Sequence, residues 1–373
     1  MTLDSTAPDP ATPHSNAAAA DTYACGGCGA CVQFAPGNGV LRCPYCGFQQ
    51  PIATGDRQVH EHAIDELTTL PRKPVGSIGA YVCVCGRCAA TTQTNGPAGL
   101  CQFCGAPLVV DPETTGQIIP EAVLPFALDR GGVRMALRAW TSSRWFAPSQ
   151  LKKVTETESS NGTYLPHWTY DAQTASSYSG ERGEYYYETQ SYTDNNGNRQ
   201  TRQVRRTAWY PVSGTVARAF DDVLVPASYA VPQEKLDQLA PWPLPEVVPY
   251  QAQYLAGYSA LRYDVEPEAG LQEAKSRMAD VIVEDCRADI GGDEQRVEQV
   301  NTNHAAIMFK LMLLPVWIAC YIYAGKTWRV YINDRTGEVI GERPYSKAKI
   351  ALAVLGGLAI AVIVAWLVLL RRR

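Results

Sequence analysis

The sequence has no lysine or arginine before Arg42, and no apolar run precedes its first cysteine, Cys25. A secretory signal needs a basic start followed by about 7 to 15 apolar residues, so we expect none. We therefore expect the cysteines to lie in a reducing cytosol, where Cys-x-x-Cys pairs more often hold metal than form disulfides. Residues 1–22, rich in Ala, Pro, Thr and Asp, predict a disordered tail.

The chain also lacks recognisable catalytic motifs. It contains no His-Glu-x-x-His sequence and no serine in a nucleophile elbow. Gly325-Lys326-Thr327 does not complete a phosphate loop, because position 320 is Cys where that pattern requires Gly. His167 and Asp171 suggest a buried dyad, although a hydrogen-bonded core histidine is the simpler interpretation. Nothing in the sequence positively indicates an enzyme.

The composition is otherwise ordinary for a folded protein, with 46% hydrophobic and 19% charged residues. These proportions exclude wholesale disorder, a collagen-like chain and a polytopic membrane protein. The formal net charge is −4, from 33 Lys and Arg against 37 Asp and Glu. This charge does not favour a protein that coats nucleic acid.

Ten of the twelve cysteines fall between Cys25 and Cys104, and eight of them form four Cys-x-x-Cys knuckles. Two knuckles together supply four thiolates, which suits tetrahedral zinc with Zn–S distances of about 2.3 Å. The sequence therefore predicts two Zn²⁺ per chain, although an iron site of the rubredoxin type would use the same thiolates. The predicted ligands are Cys25, Cys28, Cys43 and Cys46 in the first ribbon, and Cys85, Cys88, Cys101 and Cys104 in the second.

The remaining four cysteines are interpreted as non-ligands. Cys31 and Cys83 are predicted to be spare thiols beside closed sites, with a competing ligand or an oxidation-sensitive thiol as the alternative. Cys286 and Cys320 are predicted to be small buried residues. Basic and acidic residues cancel between positions 21 and 110, so the ribbons are predicted to contact protein, and nucleic acid is an unlikely partner.

After the ribbons, residues 113–346 predict a β-rich α+β domain. Apolar residues at helical spacing predict one helix from Arg130 to Trp145 and another from Glu268 to Ile290. Period-two runs predict a hairpin with strands Tyr185–Tyr192 and Thr201–Tyr210.

Two further patterns lie in this domain. Leu165-Pro-His-Trp168 and Leu314-Pro-Val-Trp317 share a motif, which suggests two related β-units around 163–212 and 303–342. The predicted hairpin carries a basic cluster, for which a solvated hairpin is favoured over a site for acidic lipid, phosphate or an acidic protein. The cluster consists of Arg199, Arg202, Arg205 and Arg206.

Residues 350–370 form a run of 21 residues without charge, Asn or Gln. As a helix this run would extend about 31 Å, the thickness of the hydrocarbon core of a bilayer. It predicts a single-pass tail anchor in the inner membrane, with the N-terminal body in the cytosol. A small-residue face also offers a surface for self-association into a homo-oligomer. That face consists of Ala353, Gly357, Ala361 and Ala365.

With these features the chain resembles bacterial membrane-anchored proteins with TFIIB-type zinc ribbons. The resemblance is carried by the paired Cys-x-x-Cys ribbons, the Trp145-Phe-Ala-Pro148 segment, the Leu-Pro-x-Trp motif and the segment from Thr336 to Ser346. Such proteins are often catalogued beside the zinc-binding part of the primosomal replication helicase. Similarity to that helicase is confined to the cysteine knuckles, and the missing nucleotide-binding motif argues against helicase activity.

The sequence thus predicts an α+β protein with two tandem zinc ribbons (23–52 and 81–112), joined by a linker over 53–80. A β-rich middle domain with inserted helices and one C-terminal transmembrane helix follow. The predicted function is a membrane-anchored scaffold or adaptor that recruits a protein partner to the inner membrane. The alternative is a zinc-dependent nucleic-acid-binding accessory protein without helicase activity.

Overall fold

The structure is a computed structural model of the 373-residue chain. It describes residues 18–21, 23–52, 58–70, 81–86, 91–94, 97–101, 106–110, 117–143, 160–193, 198–323, 326–341 and 347–371. Within these ranges the chain is built mainly of β-strands.

Strands and helices alternate irregularly along the described residues. The strands are β1 (Ala18–Asp21), β2 (Gln33–Ala35), β3 (Val40–Arg42), β4 (Gln49–Pro51), β5 (His62–Ala63), β6 (Tyr81–Cys85), β7 (Thr91–Thr94), β8 (Ala98–Leu100), β9 (Pro107–Val110), β10 (Ala122–Val123), β11 (Ser160–Thr193), β12 (Arg199–Pro226), β13 (Val248–Pro249), β14 (Ser259–Ala260), β15 (Glu294–Tyr323), β16 (Lys326–Asn333) and β17 (Val339–Gly341). The helices are α1 (Arg130–Ser142), α2 (Gln233–Leu239), α3 (Pro267–Ile290) and α4 (Lys347–Arg371).

Three long antiparallel strands form the centre of the fold, in the order β12, β11, β15. The β11–β15 ladder runs from the Ser160–Ala319 pair to the Gly183–Glu294 pair. β12 pairs along the other edge of β11, and β15 continues into a meander with β16 and β17. Their Thr, Tyr, Val and Ser content favours such extended backbone. Most shorter strands join this sheet, whereas β2, β3 and β4 form a separate sheet in the first ribbon.

Next to Asp171 of β11, one extra residue in β12 and one in β15 form bulges that interrupt the ladders on both sides of β11. Close to Asp171, Asp222 on β12 and Ala306 on β15 have φ angles of 51° and 48°, a region that non-glycine residues seldom adopt. The Asp171 carboxylate accepts a hydrogen bond from the Asp222 N–H at 2.7 Å. A bulge leaves its extra residue out of the ladder, and the Asp222 N–H in the β12 bulge bonds to the Asp171 carboxylate instead.

The two Leu-Pro-x-Trp motifs lie side by side at the middle of the sheet. Leu165 on β11 pairs with Leu314 on β15 in antiparallel register. This antiparallel register relates the two motifs by a local twofold axis. Their common origin stays a prediction.

α3 covers one face of the central strands. Its Met278 is buried in the same apolar cluster as Trp168 and Tyr170. The Tyr170 hydroxyl donates to the Pro267 carbonyl at 2.6 Å. Gly270 permits this close approach, because a Cβ there would lie 2.5 Å from the Tyr170 hydroxyl oxygen. The helix and sheet are therefore fitted to one another at this glycine.

Several local predictions are confirmed. The helix predicted from Arg130 is α1, whose first turn is capped by the Asp129 carboxylate accepting from the Gly132 N–H at 2.7 Å. The second predicted helix is α3, which ends before Gly291 with a φ of 64°. The predicted hairpin is formed by β11 and β12.

Residues 18–21 differ from expectation. They belong to the predicted disordered tail, yet they form β1, which pairs in parallel with β6 and antiparallel with β9. Backbone pairing between two existing strand edges orders this alanine-rich segment, a long-range effect that its composition does not reveal.

The predicted transmembrane helix over 350–370 is corrected. α4 runs from Lys347 to Arg371, but among the described residues no helix combines enough length and apolarity to cross a membrane. The tail anchor, the single-pass topology and the inner-membrane localisation are therefore not retained.

The small-residue face of α4 is unaffected by this correction. All four of its residues are exposed, and self-association through them stays a prediction. The residues are Ala353, Gly357, Ala361 and Ala365.

Substitution of Gly270 by alanine tests the fit of α3 against the sheet. Alanine normally stabilises a helix interior by about 1 kcal/mol relative to glycine, but here its Cβ meets Tyr170. We expect Gly270→Ala to lower the free energy of unfolding by about 1–3 kcal/mol, measured by urea denaturation followed by tryptophan fluorescence. Ser276→Ala, on the exposed side of α3, is the control and should be neutral or slightly stabilising. Stabilisation by Gly270→Ala would contradict the described packing.

Candidate metal centre

The four cysteines of ribbon 1, defined as residues 23–52, converge on one point. All four Sγ atoms lie within 4.8 Å of one another, and the Cys25–Cys46 and Cys28–Cys43 Sγ pairs are each 3.5 Å apart. A tetrahedral centre with metal–sulfur bonds of about 2.3 Å places its sulfurs about 3.8 Å apart. The four thiols therefore fit one metal ion.

Both knuckles of ribbon 1 have the same backbone form. The Gly29 N–H donates to the Cys25 carbonyl at 2.9 Å, and the Gly47 N–H donates to the Cys43 carbonyl at 3.0 Å. The two glycines have φ angles of 71° and 75°, which side chains with a Cβ rarely adopt. The glycine after each knuckle is thus required to turn the chain back towards the sulfurs.

Because the four sulfur atoms lie close together, the pKa values of their thiols are shifted in different directions. The Cys46 N–H stabilises the Cys43 thiolate and lowers the pKa of Cys43 to about 6. The Phe48 N–H favours the Cys46 thiolate, but the sulfurs of Cys28 and Cys25 oppose it and raise the pKa of Cys46 to about 12. A divalent cation would stabilise all four thiolates together, because thiols lose their protons when they bind metal.

The other side of ribbon 1 is anchored to the β-rich domain through Phe34. Its N–H donates to the Ala256 carbonyl at 2.9 Å, and its ring meets Tyr254 edge to face with centroids 5.3 Å apart. Gly257, with a φ of 88°, approaches Gln33 so closely that a Cβ would lie 2.9 Å from the Gln33 Cβ. The metal centre therefore lies on a ribbon that is attached to the β-rich domain, which we call the body.

The structure describes half of the second predicted ligand set. Cys85 and Cys101 are buried, whereas Cys88 and Cys104 lie outside the described residues, as does the side chain of Cys83. Cys31 packs with Cys85 and Cys101 in one apolar cluster. The extra cysteine of ribbon 1 thus lies in the core of the second predicted ribbon, which places the two ribbons in contact.

The last two cysteines behave differently from one another. Cys286 is buried in α3, as predicted, but Cys320 on β15 is exposed. The apolar neighbours of Cys320 in the sequence belong to alternating faces of a strand, so they do not bury it.

Histidines 60 and 62 lie in the predicted linker, near a cluster of carboxylates. His62 is held by two of them, with Nδ1 at 3.4 Å from Glu66 and Nε2 at 3.3 Å from Glu121. The His60 and His62 rings meet edge to face with centroids 4.8 Å apart. These contacts fasten β5 to the body and give the His-x-His pair a structural role.

A buried lysine fastens the same segment from the other side. Lys310 on β15 has a side chain only 5% exposed, and its Nζ lies 2.6 Å from Glu61 and 2.5 Å from Asp222. Glu61 precedes β5, which pairs with β15 at Met308 and Phe309. An isolated buried ammonium would be very costly, so the two carboxylates are required partners.

Asp171 adds a third carboxyl group to this lysine cluster. Burial and the hydrogen bond with Glu61 raise the pKa of Asp171 to about 7. Burial also disfavours the Glu61 carboxylate, but hydrogen bonds from Asp171 and Lys310 hold the pKa of Glu61 below its ordinary value. Below about pH 7, Asp171 therefore keeps a proton that it donates to Glu61.

The His167–Asp171 hypothesis is not supported by these contacts. His167 is fully buried, its Nδ1 lies 3.1 Å from the Leu165 carbonyl, and burial lowers its pKa to about 4. Asp171 is engaged instead with Glu61 and the Asp222 N–H. The described contacts thus match the core-histidine interpretation.

Sequence reasoning missed the lysine cluster. Its only local signal is Lys310 inside an otherwise apolar run, and its partners Glu61 and Asp222 lie 249 and 88 positions away. Such partners become neighbours only through the pairing of β15 with β5 and β11.

Comparisons with known proteins give one similar chain and no assigned activity. The chain is 24% identical over 258 residues to the uncharacterized protein YdjG of Bacillus subtilis (strain 168), an alignment that covers 66% of this chain and 70% of that protein. No family model and no solved structure matches the chain. The resemblance to membrane-anchored zinc-ribbon proteins therefore stays a prediction for the ribbons, and its membrane part is not retained.

Loss of one ligand should empty the centre of ribbon 1. We expect Cys43→Ser to reduce the metal bound by the purified chain by about one equivalent, measured by elemental analysis, because three thiolates cannot complete the tetrahedral set. Cys320→Ser, an exposed cysteine outside the centre, is the matched control and should retain all bound metal. Unchanged metal in Cys43→Ser would contradict the assigned ligand set.

The raised pKa of Asp171 makes stability depend on pH. Between about pH 4 and 7 the folded chain keeps the Asp171 proton and the unfolded chain releases it, so this group contributes less stability as pH rises. The unfolding free energy of wild type minus that of Asp171→Asn should therefore fall from about pH 5 to 7 and then level off. Urea denaturation across this range measures it. Asp280→Asn, at an exposed position on α3, is the control, and a difference that rises with pH would contradict the account.

Proposed function

We propose that the chain is a zinc-dependent adaptor that recruits a protein partner through ribbon 1. In this proposal two Zn²⁺ are bound per chain, the second by Cys85, Cys88, Cys101 and Cys104. The proposal keeps the scaffold function expected from the sequence and omits the membrane.

The exposure of two aromatic residues beside the metal centre carries the proposal. Tyr45 lies inside the second knuckle and is 72% exposed, and Phe48 follows that knuckle and is 45% exposed. Aromatic side chains that are exposed on a rigid support are the groups that protein interfaces use most as anchors. The side of ribbon 1 that faces the body is already occupied by Phe34, so these rings are presented outward.

A depression beside Tyr45 gives this surface a shape that a partner side chain can enter. Its volume is about 470 Å³, and its walls include Phe34, Arg42, Pro44 and Tyr45. Its lining is mixed, with Arg42 supplying one cation beside Phe34 and Pro44, which suits a partner segment that carries an acidic residue next to an apolar one.

The metal controls whether this surface exists. Tyr45 lies between two ligands, Cys43 and Cys46, so coordination fixes the backbone that holds its ring. Small metal-bound ribbons derive much of their folding free energy from the ion. Partner binding through Tyr45 should therefore depend on metal.

Zinc is proposed over iron because the role is structural. Zn²⁺ accepts four thiolates in a tetrahedral site and has no redox chemistry, whereas an iron–thiolate site would add an oxidisable centre. The solvent-facing Cys28 and Cys46 would leave such a centre open to oxidants.

Photocrosslinking from position 45 tests the adaptor proposal. A photoreactive phenylalanine analogue replaces Tyr45 in the full chain, expressed in its native host. We expect a discrete crosslinked protein that disappears when Cys43→Ser is added, because the knuckle then loses its metal. Elemental analysis of the same preparation should give about two zinc per chain.

Tyr229 supplies the matched control. It is 77% exposed and outside ribbon 1, so the same analogue at position 229 should not capture that protein. An adduct that persists in Cys43→Ser, or forms equally from position 229, would contradict metal-dependent recruitment.

A further inference from the structure

Beyond Gly183 the central sheet loses its third strand. β15 begins at Glu294, opposite Gly183, so residues 184–193 of β11 pair only with residues 199–208 of β12. We call this two-stranded segment the arm. Ten residues of strand extend about 33 Å, and an isolated two-stranded hairpin is only marginally stable in water. The arm is thus a long exposed element with little support from the body.

The two faces of the arm differ in charge. Directly opposed residues of an antiparallel pair share a face, which assigns each side chain from the register. One face, here called the cationic face, contains the pairs Tyr185–Thr207, Tyr187–Arg205, Thr189–Gln203, Ser191–Thr201 and Thr193–Arg199. Among the described arm residues this face has no Asp or Glu, and both arm carboxylates, Glu184 and Glu188, lie on the other face.

Neither arginine of the cationic face forms an ion pair with a carboxylate of the described residues. Arg205 lies over the Tyr185 ring, 4.1 Å from its centroid, which orients the guanidinium and leaves its charge in place. Arg199 forms no ion pair with any described residue.

On the opposite face, by contrast, Arg206 is paired with Glu188 at 3.4 Å. The opposite face also carries Arg202, which donates to Gln190 at 3.1 Å, but its two arginines are matched in number by Glu184 and Glu188. The excess positive charge of the described arm residues therefore lies on the cationic face.

The spacing of groups along the cationic face suits a flexible polyanion with flat bases. Arg199 and Arg205 are six residues apart on β12, about 20 Å along the strand. Tyr187, directly opposite Arg205, is 66% exposed and offers a ring for stacking. Hydroxyl and amide groups of Ser191 and Gln203 lie between the two arginines and can bond to phosphate or base.

The negative charge of the whole chain does not prevent such binding. The formal net charge is −4, but at physiological ionic strength the screening length is about 8 Å. Much of the arm extends farther than this from the body. A phosphate at the far end is therefore attracted by Arg199 more than it is repelled by the carboxylates of the body.

We propose that the cationic face of the arm binds single-stranded nucleic acid, with Arg199 and Arg205 on phosphates and Tyr187 stacked on a base. A single strand is favoured over a duplex because only unstacked bases offer their faces to an aromatic side chain. This binding surface is distinct from Tyr45 on ribbon 1, so it adds an activity to the proposed adaptor.

Fluorescence anisotropy with a labelled oligothymidylate of about 20 nucleotides tests the proposal on the full, metal-loaded chain. At about 50 mM salt, Arg199→Gln/Arg205→Gln should bind about tenfold more weakly than wild type. Each phosphate contact contributes about 0.7 to the slope of log affinity against log salt for single strands, so the slope should decrease by about 1.4.

Arg182→Gln/Arg206→Gln is the charge-matched control. It removes two charges from the side opposite the cationic face, one at Arg206 within the arm and one at Arg182 just before it. There Arg182 is paired with Glu184 at 3.0 Å and Arg206 with Glu188. This control should stay within about twofold of wild type. Equal weakening by both double variants would overturn the cationic face as the site.

Two further measurements separate stacking from charge. Tyr187→Ser should weaken binding about fivefold or more while leaving the salt slope unchanged, because base stacking involves no counterion. A duplex or a polyglutamate competitor should bind the chain more weakly than the single strand. The proposal is overturned if wild type does not bind the oligonucleotide, if Tyr187→Ser has no effect, or if duplex or polyglutamate binds equally well. Circular dichroism melting verifies that each variant is folded.

Discussion

The antiparallel ladder between β11 and β15 supports contacts between parts of the chain that are far apart in sequence. On one side it supports α3, which fits against Trp168 and Tyr170. On the other, Lys310 of β15 holds Glu61 from the segment between the ribbons. Breaking this ladder would therefore release the helix, the linker contacts and the base of the arm together, which makes it the constraint on which the fold depends.

Metal binding and partner binding are connected through a few residues of ribbon 1. Phe34 attaches the ribbon to Tyr254 in the body, and coordination by Cys43 and Cys46 positions Tyr45 on the outer side. Phe34 and Cys43 are only about ten residues apart. A short stretch of chain therefore connects the attachment to the body, the metal ligands and the exposed Tyr45. The arm differs from ribbon 1, because only the pairing between its two strands, β11 and β12, holds it together.

Features encoded by neighbouring residues were predictable from the sequence. The spacing of the Cys-x-x-Cys knuckles predicted the four cysteines that converge in ribbon 1, and apolar residues at helical spacing predicted α1 and α3. Features made by distant residues were not. The pairing of Lys310 with Glu61, the order of residues 18–21 and the packing of Cys31 beside Cys85 and Cys101 all arise from tertiary contacts. The transmembrane prediction for 350–370 was wrong for another reason. It was based on apolar composition alone, which does not establish that a segment lies in a membrane.

The central claim is that four thiolates of ribbon 1 surround one metal ion and order the surface beside it. X-ray absorption at the metal edge of the purified full chain tests this claim most directly. The account predicts a first shell of four sulfur atoms at about 2.3 Å. A shell with fewer sulfurs, or with nitrogen or oxygen in their place, would contradict it.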